Sequence, residues 1–201
     1  MNAVPSVPLA PPVVDWRPDR TAAVVWNLLA LPLLLLALAV YLPLAALGRG
    51  GSISGRFGPV EVLLFLLLSL VLLAALLGVH EALHGLAMAA FGARPRFGAA
   101  MVARVAPALY TTAPGHRFTR GQYLVVALAP AVLVSAAGAA ACLTPVGVFL
   151  ALPLAGHLAG CIGDFAATIR LLREPPGTAC EDLRDGIRFH RPATAREPHG
   201  S

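Results

Sequence analysis

Four long stretches that are almost free of charge dominate this sequence. They cover residues 22–47, 60–91, 119–143 and 146–172, and each is long enough to cross a bilayer, which takes about 20 mainly apolar residues. Of the 201 residues, 58% are hydrophobic and 12% are charged, against about 25% charged in a soluble domain. The sequence therefore predicts an all-α polytopic membrane protein with four transmembrane helices.

The segments around these spans are shorter and more polar. Residues 93–117 hold four arginines, three prolines and β-favouring pieces at 101–105 and 109–112, which predicts a small β-hairpin at the membrane surface between spans two and three. Thr119 to Gln122 matches a capping box at the start of span three. We expect a flexible N-terminal arm over residues 1–21, the transmembrane domain over residues 22–172 and a polar C-terminal tail over residues 173–201.

The charge of the connecting segments predicts the orientation. All fifteen basic residues are arginine, and they lie mostly outside the apolar runs, which argues for topology and against nucleic-acid binding. Four spans place the arm, the hairpin and the tail on the same side of the membrane. That side has thirteen arginines, whereas the other side has two, Arg49 and Arg56. By the positive-inside rule, both termini should be cytoplasmic in a multi-pass protein of the plasma membrane.

Ionisable residues inside the spans are costly and therefore functional candidates. His80, Glu81 and His84 form an HExxH motif, in which histidines at i and i+4 share one helix face and can both bind a zinc ion. Glu81 can serve that site as general base. This composition produces the motif by chance in roughly 0.4% of sequences. Two helix-packing histidines are the alternative, but they leave a buried carboxylate unexplained.

The third ligand must come from another span. In span four, His157, Cys161 and Asp164 lie at i, i+4 and i+7 and so share one stripe. His80 lies 20 residues into span two and Asp164 lies 18 residues into span four, a depth difference of about 3 Å, whereas His157 would sit about 10 Å nearer the opposite face. Asp164 is the predicted ligand and His157 the alternative. His157 could instead orient a substrate carbonyl or make a helix-packing hydrogen bond.

Such a site favours hydrolysis of a peptide bond. Glu81 would take a proton from the attacking water and return it to the leaving amine, with no covalent acyl-enzyme. Cys161 lacks a convincing base and Ser135 lies among alanines in span three, so both are poor candidates for nucleophiles. A strand edge at residues 101–105 could hold an extended substrate by β-augmentation, although the loop could equally be structural.

Several segments together resemble a known family. They are HEALHG with the following Phe-Gly, the Arg-Gly-Gln-Tyr start of span three leading to Ala-Pro, and Gly-Asp-Phe around Asp164. Over residues 71–172 the chain resembles small bacterial membrane proteins described as zincin peptidases, which are similar to site-2 proteases. The resemblance implies His80, His84 and Asp164 as ligands of Zn²⁺ and Glu81 as catalytic acid/base. Site-2 proteases carry an Asn-Pro-Asp-Gly-type signature where this chain has Cys-Ile-Gly-Asp, so the substrate-orienting residues differ.

The leading hypothesis is a zinc-dependent, membrane-embedded endopeptidase that acts on membrane-associated proteins near the cytoplasmic face. Its partners would be that protein substrate and the lipid bilayer. One alternative is a zinc-binding pseudoprotease, which could lose Glu81 at little cost. Another is a haem-binding or ion-translocating protein. His80 and His84 share a helix and cannot approach one haem from opposite faces, although His80 and His157 could.

Overall fold

The computed structural model describes residues 13–52, 58–102 and 106–192. Within these ranges, four helical segments are long and apolar enough to cross a membrane, as predicted. They are α1 (Arg20–Gly48), α2 (Pro59–Ala90), α3 (Arg120–Cys142) and the consecutive pair α4 (Gly147–Gly160) and α5 (Ile162–Leu172). The same ranges contain the strands β1 (Val13–Trp16), β2 (Arg96–Val102), β3 (Ala106–Thr112), β4 (Phe118–Thr119), β5 (Ala179–Leu183) and β6 (Gly186–His190).

Local sequence explains where the long helices begin. The Asp19 carboxylate accepts a hydrogen bond of 2.7 Å from the backbone N–H of Ala22 at the start of α1. Helix α2 starts at Pro59. Proline has no N–H, but an N–H in the first helical turn has no partner within the helix, so no hydrogen bond is lost. At α3 the predicted capping box is confirmed. The Gln122 N–H donates to Thr119 Oγ1 at 3.3 Å, and the Thr119 N–H donates to Gln122 Oε1 at 2.9 Å.

The fourth apolar stretch is two helices, whereas the sequence predicted one. The N–H of Cys161 is shared between the carbonyl oxygens of His157 and Leu158, both at 3.2 Å. Such a bifurcated bond tightens the last turn toward 3₁₀ geometry and ends α4. Helix α5 then starts afresh at Ile162, which places Asp164 in its first turn.

The helices pack around a core of mostly small side chains. Helix α1 lies along α4, and α2 packs against both α3 and α4. Tyr41, Cys142, Ala151 and Leu154 form part of this core. Gly138 has no side chain at the point where Leu154 contacts α3, so the two helices can approach closely there.

A four-stranded antiparallel sheet, in the order β1-β6-β5-β4, lies against the ends of α2, α3 and α5. Ile187 and Phe189 alternate with polar residues along β6 and are buried, as the two-residue period of a strand with one buried face requires. Strand β1 is held by Arg188, whose Nε and Nη2 lie 2.7 and 3.0 Å from the carboxylate oxygens of Asp15.

This sheet was not predicted, and it uses parts of the expected arm and tail. Residues 13–16, 179–183 and 186–190 form paired strands. His190, which belongs to the expected polar tail, lies in the sheet with its Nε2 3.3 Å from Glu181 Oε2. The first twelve residues of the arm and the end of the tail (193–201) lie outside the described ranges.

The predicted hairpin between the second and third long helices is confirmed. Strands β2 and β3 pair antiparallel from Arg96 opposite Thr112 to Val102 opposite Ala106. The connecting residues 103–105, part of the predicted substrate-binding edge, are outside the described ranges. The hairpin packs mainly on α2 through β3.

Candidate metal centre

The last turns of α2 carry the HExxH residues. His80 and His84 point to the same side, and their Nε2 atoms are 3.0 Å apart. Both side chains are buried, each with 8% of its surface exposed. The spacing of four residues produces this convergence because an α-helix turns once in 3.6 residues.

Asp164 completes the cluster from the first turn of α5. Its Oδ2 lies 3.3 Å from His80 Nε2, and its Oδ1 lies 3.4 Å from His84 Nε2. A carboxylate is favoured at this position because the N-terminal end of a helix carries partial positive charge. The break after α4 therefore places Asp164 in the first turn of a helix, and that helix end helps to stabilise its carboxylate.

The distances between the donor atoms of these three residues fit a zinc ion. Ligands at about 2.0–2.1 Å in a tetrahedron are about 3.3–3.4 Å apart. The two Nε2 atoms are 3.0 Å apart, and each lies 3.3 or 3.4 Å from one of the two carboxylate oxygens of Asp164. Two imidazoles and one carboxylate with a fourth position open are a set typical of catalytic zinc.

The outer nitrogens of both histidines have partners. His84 Nδ1 lies 2.8 Å from the carbonyl oxygen of Val126. Since a carbonyl only accepts, the proton of this ring belongs on Nδ1, and Nε2 keeps its lone pair for a metal. His80 Nδ1 lies 3.1 Å from His157 Nε2.

The position of His157 corrects a sequence expectation. We expected it about 10 Å nearer the opposite face, yet its ring contacts His80 directly. The depth of a residue along its helix describes the backbone, whereas here two imidazole side chains on facing helices extend toward each other. The two ring nitrogens of His80 point in different directions, so Nε2 faces Asp164 while Nδ1 faces His157.

Glu81 lies beside the cluster and is held by the hairpin. The hydroxyl of Thr111 in β3 lies 2.8 Å from Glu81 Oε2 and 3.0 Å from the Glu81 carbonyl oxygen. Glu81 Oε1 is 4.0 Å from His80 Nε2. Sequence reasoning missed Thr111 because only the fold brings the hairpin over α2.

The cluster opens into a cavity of about 900 Å³. Glu81, His84 and Asp164 lie in its wall, together with residues from β1, β3, α3 and the β5–β6 turn. The wall contains a second carboxylate, Asp182, whose pKa burial raises to about 7 and which accepts a hydrogen bond of 3.2 Å from the Tyr123 hydroxyl. Asp182 was missed because it belongs to the unpredicted sheet.

The two disfavoured nucleophiles lie away from this cavity. Neither Cys161 nor Ser135 is among the residues of its wall. Cys161 is fully buried behind His80, with its Sγ 3.8 Å from His80 Nδ1. Ser135 Oγ is buried and has no hydrogen-bond partner within the described residues.

Comparison with known families places the chain in a class. A family model described as "Putative zincin peptidase" matches residues 73–179, which include the HExxH helix, the hairpin, Asp164 and the start of β5. The chain therefore belongs to this zincin peptidase family, which makes metallopeptidase its class and implies zinc as its cofactor. Searches of curated proteins and of solved structures found no match.

Proposed function

We propose that the chain is a zinc-dependent endopeptidase embedded in the plasma membrane, which hydrolyses peptide bonds of membrane-associated proteins near the cytoplasmic face. The observation that carries this proposal is the convergence of His80, His84 and Asp164 at zinc-ligand spacing beside Glu81. Of these residues, Glu81, His84 and Asp164 lie in the wall of a large cavity. The resemblance to site-2 proteases supports the same assignment.

The roles of the residues follow from their positions. His80, His84 and Asp164 hold the metal, which supplies Lewis-acid chemistry that acidifies water and polarises a carbonyl. Glu81 accepts the proton of the attacking water and delivers it to the leaving amine. The Thr111 hydroxyl, 2.8 Å from Glu81 Oε2, keeps that carboxylate oriented toward the cavity.

The outer faces of the helices support membrane insertion. Many leucines of α1 and α2 expose more than half of their surface, which is unfavourable in water but suited to lipid. Among them are Leu28 (69%), Leu35 (59%), Leu63 (56%) and Leu70 (63%). Helix α2 has 32 residues and is about 48 Å long, and His80 lies about 32 Å from its start. Since the hydrocarbon core is about 30 Å thick, the metal centre belongs near one interface.

The arginine distribution supports a cytoplasmic location for that interface. The HExxH end of α2 leads directly into the hairpin, which lies on the side with thirteen of the fifteen arginines. Cytoplasmic loops carry this excess of positive charge. Both termini are then cytoplasmic, and the cavity faces the cytoplasmic membrane surface.

The hairpin offers a place for an extended substrate. Leu109, Tyr110 and Thr111 of β3 line the cavity. Within the described residues, β2 and β3 pair only with each other, so β3 has a free edge. A substrate strand that pairs with this edge would pass its backbone along Glu81 and the metal ligands.

The first test is metal content of the purified protein in detergent, measured by elemental mass spectrometry. We expect about one zinc per chain in wild type, loss of zinc in His84→Ala and Asp164→Ala, and retention in the control His116→Ala, which removes a histidine outside the cluster. Absence of zinc from wild type after reconstitution would overturn the proposal.

The second test addresses cleavage. Membrane proteomes of cells that produce wild type or Glu81→Gln are compared for shortened membrane proteins. Glu81→Gln should keep its zinc and lose the cleavage products. A zinc-bound wild type that generates no products absent from Glu81→Gln cells would instead identify a pseudoprotease.

A further inference from the structure

His157 and His80 form a buried pair behind the metal ligands. His157 lies in α4 with 1% of its surface exposed, and its Nε2 is 3.1 Å from His80 Nδ1. We propose that His157 is a positioning residue, whose Nε2 accepts the Nδ1–H of His80 and thereby holds His80 Nε2 toward the metal. This inference rests on the proposed zinc site but concerns a residue outside it.

The direction of the hydrogen bond follows from the chemistry of imidazole. A neutral ring that binds a metal through Nε2 carries its proton on Nδ1 and needs an acceptor there. Two atoms approach His80 Nδ1, namely His157 Nε2 at 3.1 Å and Cys161 Sγ at 3.8 Å. Sulfur is the weaker acceptor, and the Cys161 thiol already donates to the His157 carbonyl oxygen at 3.3 Å. His157 Nε2 is therefore the acceptor.

This assignment leaves a cost that a packing role would not explain. If Nε2 of His157 accepts, its proton is on Nδ1, which is buried and has no hydrogen-bond partner within the described residues. An unsatisfied buried donor is unfavourable, because it has lost its contact with water without gaining a hydrogen bond. An apolar side chain would fill the same space without that cost, so the imidazole is explained by its bond to His80.

The two histidine ligands then have equivalent support. His84 donates from Nδ1 to the carbonyl oxygen of Val126 in α3 at 2.8 Å. His80 donates from Nδ1 to a side chain of α4. Each ligand of α2 is thus oriented by a different neighbouring helix, and the ring of His80 depends on one replaceable side chain.

A second metal ion is the competing explanation of the same cluster. His80 Nδ1, His157 Nε2 and Cys161 Sγ lie within 3.1–4.0 Å of one another. A metal there would make His80 an anionic bridge between two cations, and would require the thiol to lose the proton that it donates to the His157 carbonyl. The hydrogen bond needs neither.

Zinc affinity distinguishes the two explanations. Affinity and stoichiometry are measured by chelator competition in detergent for wild type, His157→Leu, His157→Gln and Cys161→Ala. We expect one zinc per wild-type chain, an affinity about 10–100-fold weaker in His157→Leu, and recovery of most of the affinity in His157→Gln, whose amide oxygen can accept in place of Nε2. Cys161→Ala should stay close to wild type.

Three results would overturn the inference. The first is a zinc affinity of His157→Leu equal to that of wild type. The second is an equal loss of zinc affinity in His157→Leu and His157→Gln when both retain wild-type thermal stability, and the third is two zinc ions per wild-type chain with one lost in Cys161→Ala. A cobalt-loaded wild type with a thiolate-to-metal charge-transfer band would support the third result. His84→Ala separates the two proposals. If it loses zinc while His157→Leu does not, only the role of His157 fails; if it keeps zinc, the proposed metal site fails.

Discussion

Glu174 joins the helical part of the protein to the sheet, and its replacement should weaken that connection. The residue follows α5 and is buried, with 3% of its surface exposed. Arg191 Nε and Nη2 lie 2.6 and 3.0 Å from its two carboxylate oxygens, and Arg170 Nη1 contacts the same group. Glu174→Gln keeps the shape of the side chain and removes the charge that both arginines share.

The size of the effect follows from the exposure of the partners. Breaking a fully buried ion pair costs about 3–5 kcal/mol, and breaking an exposed one costs about 0–1 kcal/mol. The Glu174 side chain is fully buried, but those of Arg170 and Arg191 are 23% and 36% exposed, so water can partly solvate the arginines after the change. We expect a loss of about 2–3 kcal/mol, which lowers Tm by about 4–12 °C at about 2–4 °C per kcal/mol for a chain of this size.

Thermal unfolding in detergent, followed by near-ultraviolet circular dichroism, measures this loss. Arg173→Ala is the control, because Arg173 is a neighbouring arginine that is exposed, and it should change stability by less than about 0.5 kcal/mol. The dependence on pH gives a second check. The hydrogen bonds from Arg191 hold the pKa of Glu174 below its ordinary value of 4.5, so its stabilisation is present above pH 4.5 and is lost as the pH falls through the lowered pKa.

The reasoning would be refuted by a Tm of Glu174→Gln equal to that of wild type at pH 7. It would also be refuted if the difference between the two proteins increased at acid pH, since a protonated Glu174 resembles glutamine.

Two other changes test the sheet and the helix core. Burial raises the pKa of Asp182 from 3.8 to about 7, so the folded protein holds a proton there that the unfolded chain releases, and wild type loses stability as the pH rises through this interval. An asparagine at this position cannot titrate, so the Tm of Asp182→Asn minus that of wild type should increase from pH 5 to pH 8. A constant difference would contradict the assignment. Gly48→Ala would place a methyl group 2.6 Å from the carbonyl carbon of Leu143 and should cost about 1–3 kcal/mol. The matched Gly78→Ala meets nothing within 4 Å and should be neutral or stabilising by up to about 1 kcal/mol, so equal Tm values for the two variants would be the contrary result.

The parts of the fold that could be predicted have local sequence signals. Uncharged runs define the long helices, and the Thr119 capping box defines one start. The sheet escaped prediction because β1 pairs with residues 187–190, far away in the chain, and no local pattern reveals such a partner. A weaker signal was present in β6, where Ile187 and Phe189 alternate with polar residues just after an Asp-Gly pair typical of hairpins.

The residues of the candidate site also divide into those that a local sequence pattern indicates and those that only the fold brings together. The histidines of α2 follow from their spacing, and helix depth selected Asp164, which the structure brings to within 3.4 Å of both. Helix depth did not predict the contact between His157 and His80, because the rise along a helix does not describe how far two facing side chains extend toward each other. Thr111 reaches Glu81 only through tertiary packing, so no pattern in the linear sequence could have identified it.

The pairing of β1 with β6 has a consequence for biosynthesis. All proposed metal ligands have been made once residue 164 has been added, but β1 has no partner until residues 187–190 exist. Translation proceeds at about 5–20 residues per second, so a nascent chain passes through a stage in which the ligands are present while the wall that contains Trp16 and Arg17 is still unbuilt. The strand made before the first long helix thus depends on one made after the last, and a chain truncated between residues 164 and 187 would contain every proposed metal ligand but lack the β1–β6 pairing that completes this wall.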